Sequence, residues 1–144
     1  MKIIFVALFL SSFVSKDSKI STCGTESIVF QHGEKLVYKI FYNWNFVWIP
    51  AGEVEFSVEE KADYFHFKAV GNTYKSYDLF FKVRDRYEAI VRKSDLLPIY
   101  SIRDIHEGKY QLYDSLIFHG NKDQIISFRG KSPDNLIDSV YPMK

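Results

Sequence analysis

Two arginines set two positions apart are the residues of this sequence whose types and spacing best suit chemistry. Arg84 and Arg86 flank Asp85 in the stretch VRDRYE. On a β-strand the two guanidinium groups share one face, where they could bind a carboxylate or a phosphate group. The alternative is structural, with Asp85 capping a turn or pairing with Arg103 of a neighbouring strand. Both interpretations stay open at this point.

A run of aromatic side chains is the second candidate. The stretch FYNWNFVWIPAGEVEF places Tyr42, Trp44, Phe46 and Trp48 at every second position, so on a continuous strand all four rings share one side. Such rings bury about 150–250 Å² each and could simply fill a core. Tyrosine and tryptophan also line pockets with one apolar and one wet end. This aromatic face is therefore either core or the wall of a binding site.

No catalytic or metal-binding motif accompanies these residues. The four histidines stand singly, without the tight spacing or the cysteine cluster of a zinc site. The sequence also has no nucleophile elbow, phosphate-binding loop or dinucleotide fingerprint. We therefore predict no catalytic residue, no metal and no cofactor. Paired carboxylates are abundant, which keeps open an enzyme whose acids are Asp85, Asp104 and Glu107.

The elements that must position these residues are β-strands, because apolar and polar residues alternate through most of the chain. Leu36 to Trp48 reads as one long strand with a bend near Asn43-Trp44-Asn45, followed by a turn at Ile49-Pro50-Ala51-Gly52. Glu53 to Glu59 alternates cleanly, which predicts a strand with one wet face. Residues 73–83 lose the pattern and favour a short helix or an irregular aromatic loop.

These patterns together predict a mainly β fold. We expect an antiparallel, twisted sheet of about seven strands with at most one short helix, curled as a half-barrel or open barrel. The residues from Lys131 onwards have no periodicity that assigns them to an element. At 144 residues the chain suits one domain. Lys plus Arg is 19 and Asp plus Glu is 18, so no net field draws the chain to nucleic acid or to an anionic membrane surface.

The N-terminus indicates export. The apolar run from Ile3 to Val14 is too short to cross a bilayer as a helix and matches the apolar region of a secretory signal. We assign residues 1–22 to this signal, ending near 15 or 23, against the alternative of a buried N-terminal strand. The only cysteine, Cys23, excludes an intramolecular disulfide. Its lipidation as the first mature residue is the minority interpretation, because the preceding IST is a poor lipidation signal.

The order of several motifs resembles a known family. GEKL, YNW and AG within residues 30–56 are followed by YDLFFKVRDRYEAIV, LLPIYSIRDIHEGKY and PDN. This series resembles the bacterial family called domain of unknown function 3108. The resemblance implies an exported, mostly β protein of the Gram-negative envelope, and it supplies no activity and no site residues. Family members run further, so the resemblance implies that residues 23–144 are a single β domain truncated at its C-terminus.

We expect a non-catalytic protein of the periplasm or the outer-membrane-facing envelope. Its expected ligand is lipid-like, glycan or otherwise amphipathic, and binds on a concave aromatic face. We further expect association with the outer membrane and no transmembrane span. The alternatives are an enzyme acting on an envelope glycan or polymer, and a purely structural envelope component. The expected ligand-binding residues are Tyr42, Trp44, Phe46, Trp48, Arg84 and Arg86.

Overall fold

Alternating side chains over eight successive segments form one antiparallel β-sheet. The structure is a computed structural model that describes residues 30–143. The strands are β1 (Lys35–Trp44), β2 (Val47–Glu60), β3 (Tyr64–Thr73), β4 (Arg84–Arg92), β5 (Pro98–Glu107), β6 (Tyr110–His119), β7 (Gln124–Gly130) and β8 (Leu136–Pro142). Each strand pairs with the next one along the chain, so the sheet is a meander. The predicted mainly β, antiparallel fold is confirmed.

The sheet is curled but not closed, and β1 and β8 are its two edges. Within residues 30–143 the only helical element is one turn of 3-10 helix, Gly120–Lys122. That described part also holds no helix with the length and hydropathy to cross a bilayer. The expected signal and Cys23 fall outside the described residues. One strand more than predicted is present, because Leu136–Pro142 is an edge strand with apolar residues on both faces.

The β1–β2 hairpin differs from the sequence-based prediction. The long strand expected from Leu36 to Trp48 is wrong: the chain reverses at Asn45 and Phe46, whose φ angles are 46° and 72°. Positive φ at both central residues is the conformation of a two-residue hairpin turn, which Asn favours. The residues expected to form the turn, Ile49 to Gly52, instead lie within β2. There, a register shift leaves Ala51 without a partner on β1, between the paired residues Pro50 and Gly52.

The pairing register aligns side chains from all eight strands in one row across the sheet. The row consists of eight residues, each the Cα partner of the next: Leu36, Phe56, Ala69, Tyr87, Arg103, Asp114, Arg129 and Ile137. Residues directly opposite each other on neighbouring strands point to the same face. This row therefore defines the inner face, and its character changes from apolar on β1–β4 to charged on β5–β7.

The fold has a thin core. Among residues 30–143 only three apolar side chains are buried, Val58, Ile105 and Leu112. All three belong to the inner face by register. Many large apolar side chains stay exposed, including Tyr38 and Phe56 at 55% and 45%. The inner face therefore leaves much apolar area open.

Candidate functional site

The inner face of the sheet carries a groove of about 1100 Å³. This volume slightly exceeds the usual range of small-molecule sites, roughly 300–1,000 Å³. Its wall on β1–β4 is apolar, and the side chains that form it are Leu36, Tyr38, Ile40, Val54, Phe56, Val58, Phe67, Ala69, Tyr87 and Ala89. The groove therefore offers a long apolar surface with one wet side.

Aromatic contacts set the shape of this wall. The rings of Tyr38 and Phe56 pack edge to face, with centroids 5.8 Å apart. Phe30 packs in the same manner on Phe67, at 4.7 Å, and contacts Phe65 at 5.9 Å. Edge-to-face pairs at these distances are favourable. They hold the rings of neighbouring strands in fixed orientations, so the apolar wall is preformed.

The β5–β7 side of the groove is polar. Arg103 Nη2 lies 2.9 Å from Asp114 Oδ2, and Ser127 Oγ donates a hydrogen bond to Asp114 Oδ1 at 3.3 Å. The carboxylate is largely covered, with 12% of its side chain exposed, whereas Arg103 is 44% exposed. Arg129 is exposed and stands opposite Asp114 on β7. Two guanidinium groups thus flank one carboxylate on the inner face.

Tyr87 lies between the apolar and polar sides, opposite Ala69 on β3 and Arg103 on β5. Burial raises the pKa of its phenol, and the negative charges of Asp85 and Glu107 raise it further. The hydroxyl is therefore protonated at neutral pH, which keeps it available as a hydrogen-bond donor to a ligand in the groove.

The outer face of the sheet holds a separate chain of ion pairs, here called the outer-face network. His66 Nε2 lies 2.8 Å from Glu88 Oε2, and Arg86 reaches both Glu88 Oε1 at 2.6 Å and Asp104 Oδ2 at 3.1 Å. His106 Nδ1 is 3.4 Å from the other oxygen of Asp104. The network links β3, β4 and β5 and points away from the groove.

The ion pairs of this network shift the pKa values of Glu88 and Arg86. Burial acts to raise the pKa of Glu88, but hydrogen bonds from Arg86 and His66 outweigh it and hold the pKa below its ordinary value. The hydrogen bond to Glu88 is also the main cause that raises the pKa of Arg86. A charged hydrogen-bonded cluster of this kind ties neighbouring strands together.

The two arginines predicted to bind an anion lie on the outer face. Arg84 Nη2 pairs with Asp78 Oδ2 at 2.6 Å, and Thr73 Oγ1 donates to the other oxygen of that carboxylate at 2.8 Å. These contacts lower the pKa of Asp78 and fasten the β3–β4 loop. Arg86 belongs to the outer-face network. The two guanidinium groups thus bind different carboxylates. The role of both arginines in binding a ligand stays a prediction.

The four predicted aromatic residues lie at the β1–β2 hairpin. Tyr42 and Trp44 point to the inner face, like the other even-numbered residues of β1. Trp48 is opposite Asn43 and so points to the outer face. Phe46 is in the turn and is 96% exposed. The sequence-based expectation of one shared side is wrong, because the chain reverses between Trp44 and Val47. Their part in ligand binding stays a prediction.

Of the three candidate acids of the enzyme alternative, Asp85 and Glu107 lie on the inner face by register and Asp104 lies on the outer face. Asp85 belongs to the inner face and accepts a hydrogen bond from the backbone N–H of His106 at 3.0 Å. Asp104 projects outward within the outer-face network. Arg103, which the sequence suggested as a partner of Asp85, pairs with Asp114 instead.

This fold and site define a class of protein, an open, single-sheet antiparallel β protein with an apolar groove on its inner face. The chain belongs to the family described as protein of unknown function (DUF3108), whose family model matches residues 37–144. This match confirms the resemblance seen in the order of the motifs. Comparisons with curated proteins and with solved structures gave no match.

Proposed function

We propose that this chain is a non-catalytic protein of the cell envelope that binds a lipid-like or other amphipathic molecule in its groove. The observation that carries the proposal is that the groove is lined by apolar side chains on β1–β4 and by the charged pair of Arg103 and Asp114 on β5 and β6. An amphipathic molecule has the same two parts. The apolar part of the ligand lies along Tyr38, Phe56 and Phe67, and its polar end lies near Arg103.

Burial of apolar area supplies the driving force for this binding. Removing apolar surface from water contributes roughly 25 cal/mol per Å², and exposed Tyr38 and Phe56 have much area left to bury. A ligand chain in the groove would also cover Leu36 and Ile40, each 47% exposed. The polar side then gives orientation, because Arg103 and Arg129 favour an anionic or strongly polar headgroup.

A groove-filling substitution tests the proposal. Ala69 lies in the wall on β3, and a ring at this position occupies the space between Phe56 and Tyr87. We expect Ala69→Phe to lower the affinity for the neutral fluorescent probe N-phenyl-1-naphthylamine by about tenfold or more, because the ring displaces the ligand. Val70→Phe is the matched control, since it adds a ring to the outer face of the same strand. It should leave probe binding unchanged.

Two outcomes would overturn the proposal. The first is wild-type protein that binds neither the probe nor single-chain detergents in competition with it, which would favour the structural alternative. The second is equal loss of binding in Ala69→Phe and Val70→Phe. Organic extraction of the protein purified from its native envelope, followed by mass spectrometry, then identifies the lipid class that the groove carries.

Export to the envelope is part of the same proposal and has its own test. It rests on the apolar N-terminal run of residues 3–14 and not on the groove. We expect a chain with a C-terminal tag to lose its N-terminal segment and to fractionate with the periplasm or the outer membrane. Retention of the full-length chain in the cytoplasm would contradict the proposed location and would leave the groove proposal intact.

A further inference from the structure

The β1–β2 hairpin projects beyond the rest of the sheet. The pairing of β2 with β3 begins at Gly52, opposite Thr73, so within residues 30–143 the only strand neighbour of residues 47–51 is β1. At about 3.3 Å per residue, this hairpin extends about 16 Å past Gly52. We call residues 41–51 the hairpin arm. Two-stranded hairpins are marginally stable in water on their own, so the arm depends on the sheet at its base.

The hairpin arm has no charged side chain. The nearest charges along the chain are Lys39 and Glu53, and the residues between them are apolar, aromatic, Asn, Pro, Ala or Gly. Rings lie on both faces: Trp44 and Trp48 are 65% and 67% exposed, and Phe46 at the tip is 96% exposed. The φ of 72° at Phe46 is rarely adopted by a bulky residue. A strained residue that presents its ring to water suggests a functional contact.

A second exposed apolar group adjoins the base of the arm. Tyr74 N donates a hydrogen bond to Ala51 O at 3.0 Å, which fastens the β3–β4 loop, residues 74–83, to the arm. Leu79 and Phe80 of this loop are 90% and 85% exposed. The β5–β6 turn joins the same end of the sheet through a 2.8 Å hydrogen bond from Gly108 N to Lys82 O.

The loop and the turn that adjoin the arm carry more positive than negative charge. The β3–β4 loop and the β5–β6 turn carry three exposed lysines, Lys75, Lys82 and Lys109. Their only acidic residue is Asp78, which is paired with Arg84 at 2.6 Å. An uncharged aromatic projection beside a group of lysines is complementary to an anionic lipid surface, where rings enter the interfacial region and ammonium groups contact the headgroups.

We infer that this end of the sheet docks on an anionic lipid bilayer, with the hairpin arm as the inserted part. The headgroup region of one leaflet is about 5–8 Å thick, so an arm of about 16 Å passes through it and reaches the outermost acyl carbons. Deeper insertion is opposed by the outward-facing backbone groups of a two-stranded hairpin, which find no partner in hydrocarbon. The arm therefore rests at the interface, and the groove stays outside the hydrocarbon.

The two tryptophans of the chain, Trp44 and Trp48, are both in the arm, so tryptophan fluorescence reports on this segment alone. We expect phosphatidylcholine vesicles containing phosphatidylglycerol to shift the emission to shorter wavelength and lipids brominated near the headgroup to quench it. Vesicles of pure phosphatidylcholine should bind more weakly, and added salt should weaken the binding to the anionic vesicles. An unchanged emission spectrum with anionic vesicles would overturn the inference.

One substitution separates bilayer docking from folding. Phe46→Gly removes the exposed ring and relieves the positive φ, so we expect a higher melting temperature together with a roughly tenfold weaker binding to anionic vesicles in flotation. Leu97→Ser is the matched control, because Leu97 is 55% exposed in the β4–β5 turn at the opposite end. It should leave vesicle binding unchanged.

Other results would overturn the inference in favour of a different occupant. Equal loss of binding in Phe46→Gly and Leu97→Ser would show a non-specific apolar effect. A wild-type dimer that Phe46→Gly converts to a monomer without any lipid would show that a second copy of the chain covers the arm. Probe binding in the groove is independent of these results, since Phe46→Gly leaves every residue of the groove wall in place.

Discussion

Arg103 and Asp114 stand opposite each other on β5 and β6, with Nη2 and Oδ2 2.9 Å apart, in the same row of side chains as Phe56 and Tyr87. This ion pair thus faces the groove, and together with Arg129 it forms the charged part of a row that is apolar on β1–β4. Because Arg103 is 44% exposed, its contribution to stability is that of a surface pair, about 0–1 kcal/mol. Under the proposed function, its larger effect is on which ligands the groove prefers.

Replacement of either partner should change the ligand preference in opposite directions. Arg103→Gln removes a cation, so we expect weaker binding of dodecyl sulfate and nearly unchanged binding of neutral dodecyl maltoside, measured by isothermal titration calorimetry. Asp114→Asn removes the carboxylate that competes for Arg103, so it should strengthen binding of the anion. A change in the same direction for both variants would show that the pair does not contact the headgroup.

Glu88 should make stability depend on acid pH. Its pKa is lowered in the folded state, so its stabilising effect is fully present above the ordinary value of 4.5 and is lost as the pH falls through the lower folded value. We expect Glu88→Gln to lower the free energy of unfolding by about 1.5 kcal/mol at neutral pH, since it removes hydrogen bonds to a charged group. Urea unfolding at several pH values measures the difference, which should shrink at low pH.

Glu59→Gln is the matched control for Glu88. The pKa of Glu59 is also lowered, chiefly by its hydrogen bond to Lys61, but the side chains of this pair are 56% and 47% exposed. The pH-dependent loss should therefore be much smaller than for Glu88→Gln. A loss of equal size in both variants would contradict the importance of the outer-face network.

Gly108 should be intolerant of a side chain. Its φ is +58°, and an added Cβ would lie 3.1 Å from Cε2 of Phe81. We expect Gly108→Ala to lower the free energy of unfolding by about 1–2 kcal/mol, because the substitution adds both backbone strain and a close contact. Gly120→Ala is the control, since nothing lies within 4 Å of its added Cβ. Thermal unfolding of the two variants measures the difference directly.

The sheet was predictable because most strands alternate cleanly, but the β1–β2 hairpin was not. Trp44 pairs with Val47 across the turn, which moves the inner face from even to odd positions. The unpaired Ala51 then returns the inner face to even positions. The two changes of parity cancel, so the sequence from Leu36 to Phe56 reads as one uninterrupted alternation. Only the dipeptide Asn45-Phe46 signalled the turn, and Phe is an unusual residue there.

The groove could be predicted as a type of site but not residue by residue. The sequence indicated an aromatic face, and Tyr38, Phe56 and Phe67 belong to strands whose alternation was visible. The pairing of Arg103 with Asp114 depends on the register between β5 and β6, which alternation does not determine. The strand Leu136–Pro142 was missed because its apolar residues lie on both faces, so they do not alternate regularly with polar ones.

The meander also determines how the chain can assemble. In the part of the chain that the structure describes, each strand pairs only with the strands that precede and follow it. The longest connection there, residues 74–83, is a loop fastened by Asp78 and Arg84. Closing a short loop costs little conformational entropy, so no pairing has to wait for distant parts of the chain to meet. The sheet can grow one strand at a time, starting from any adjacent pair and extending towards both edges.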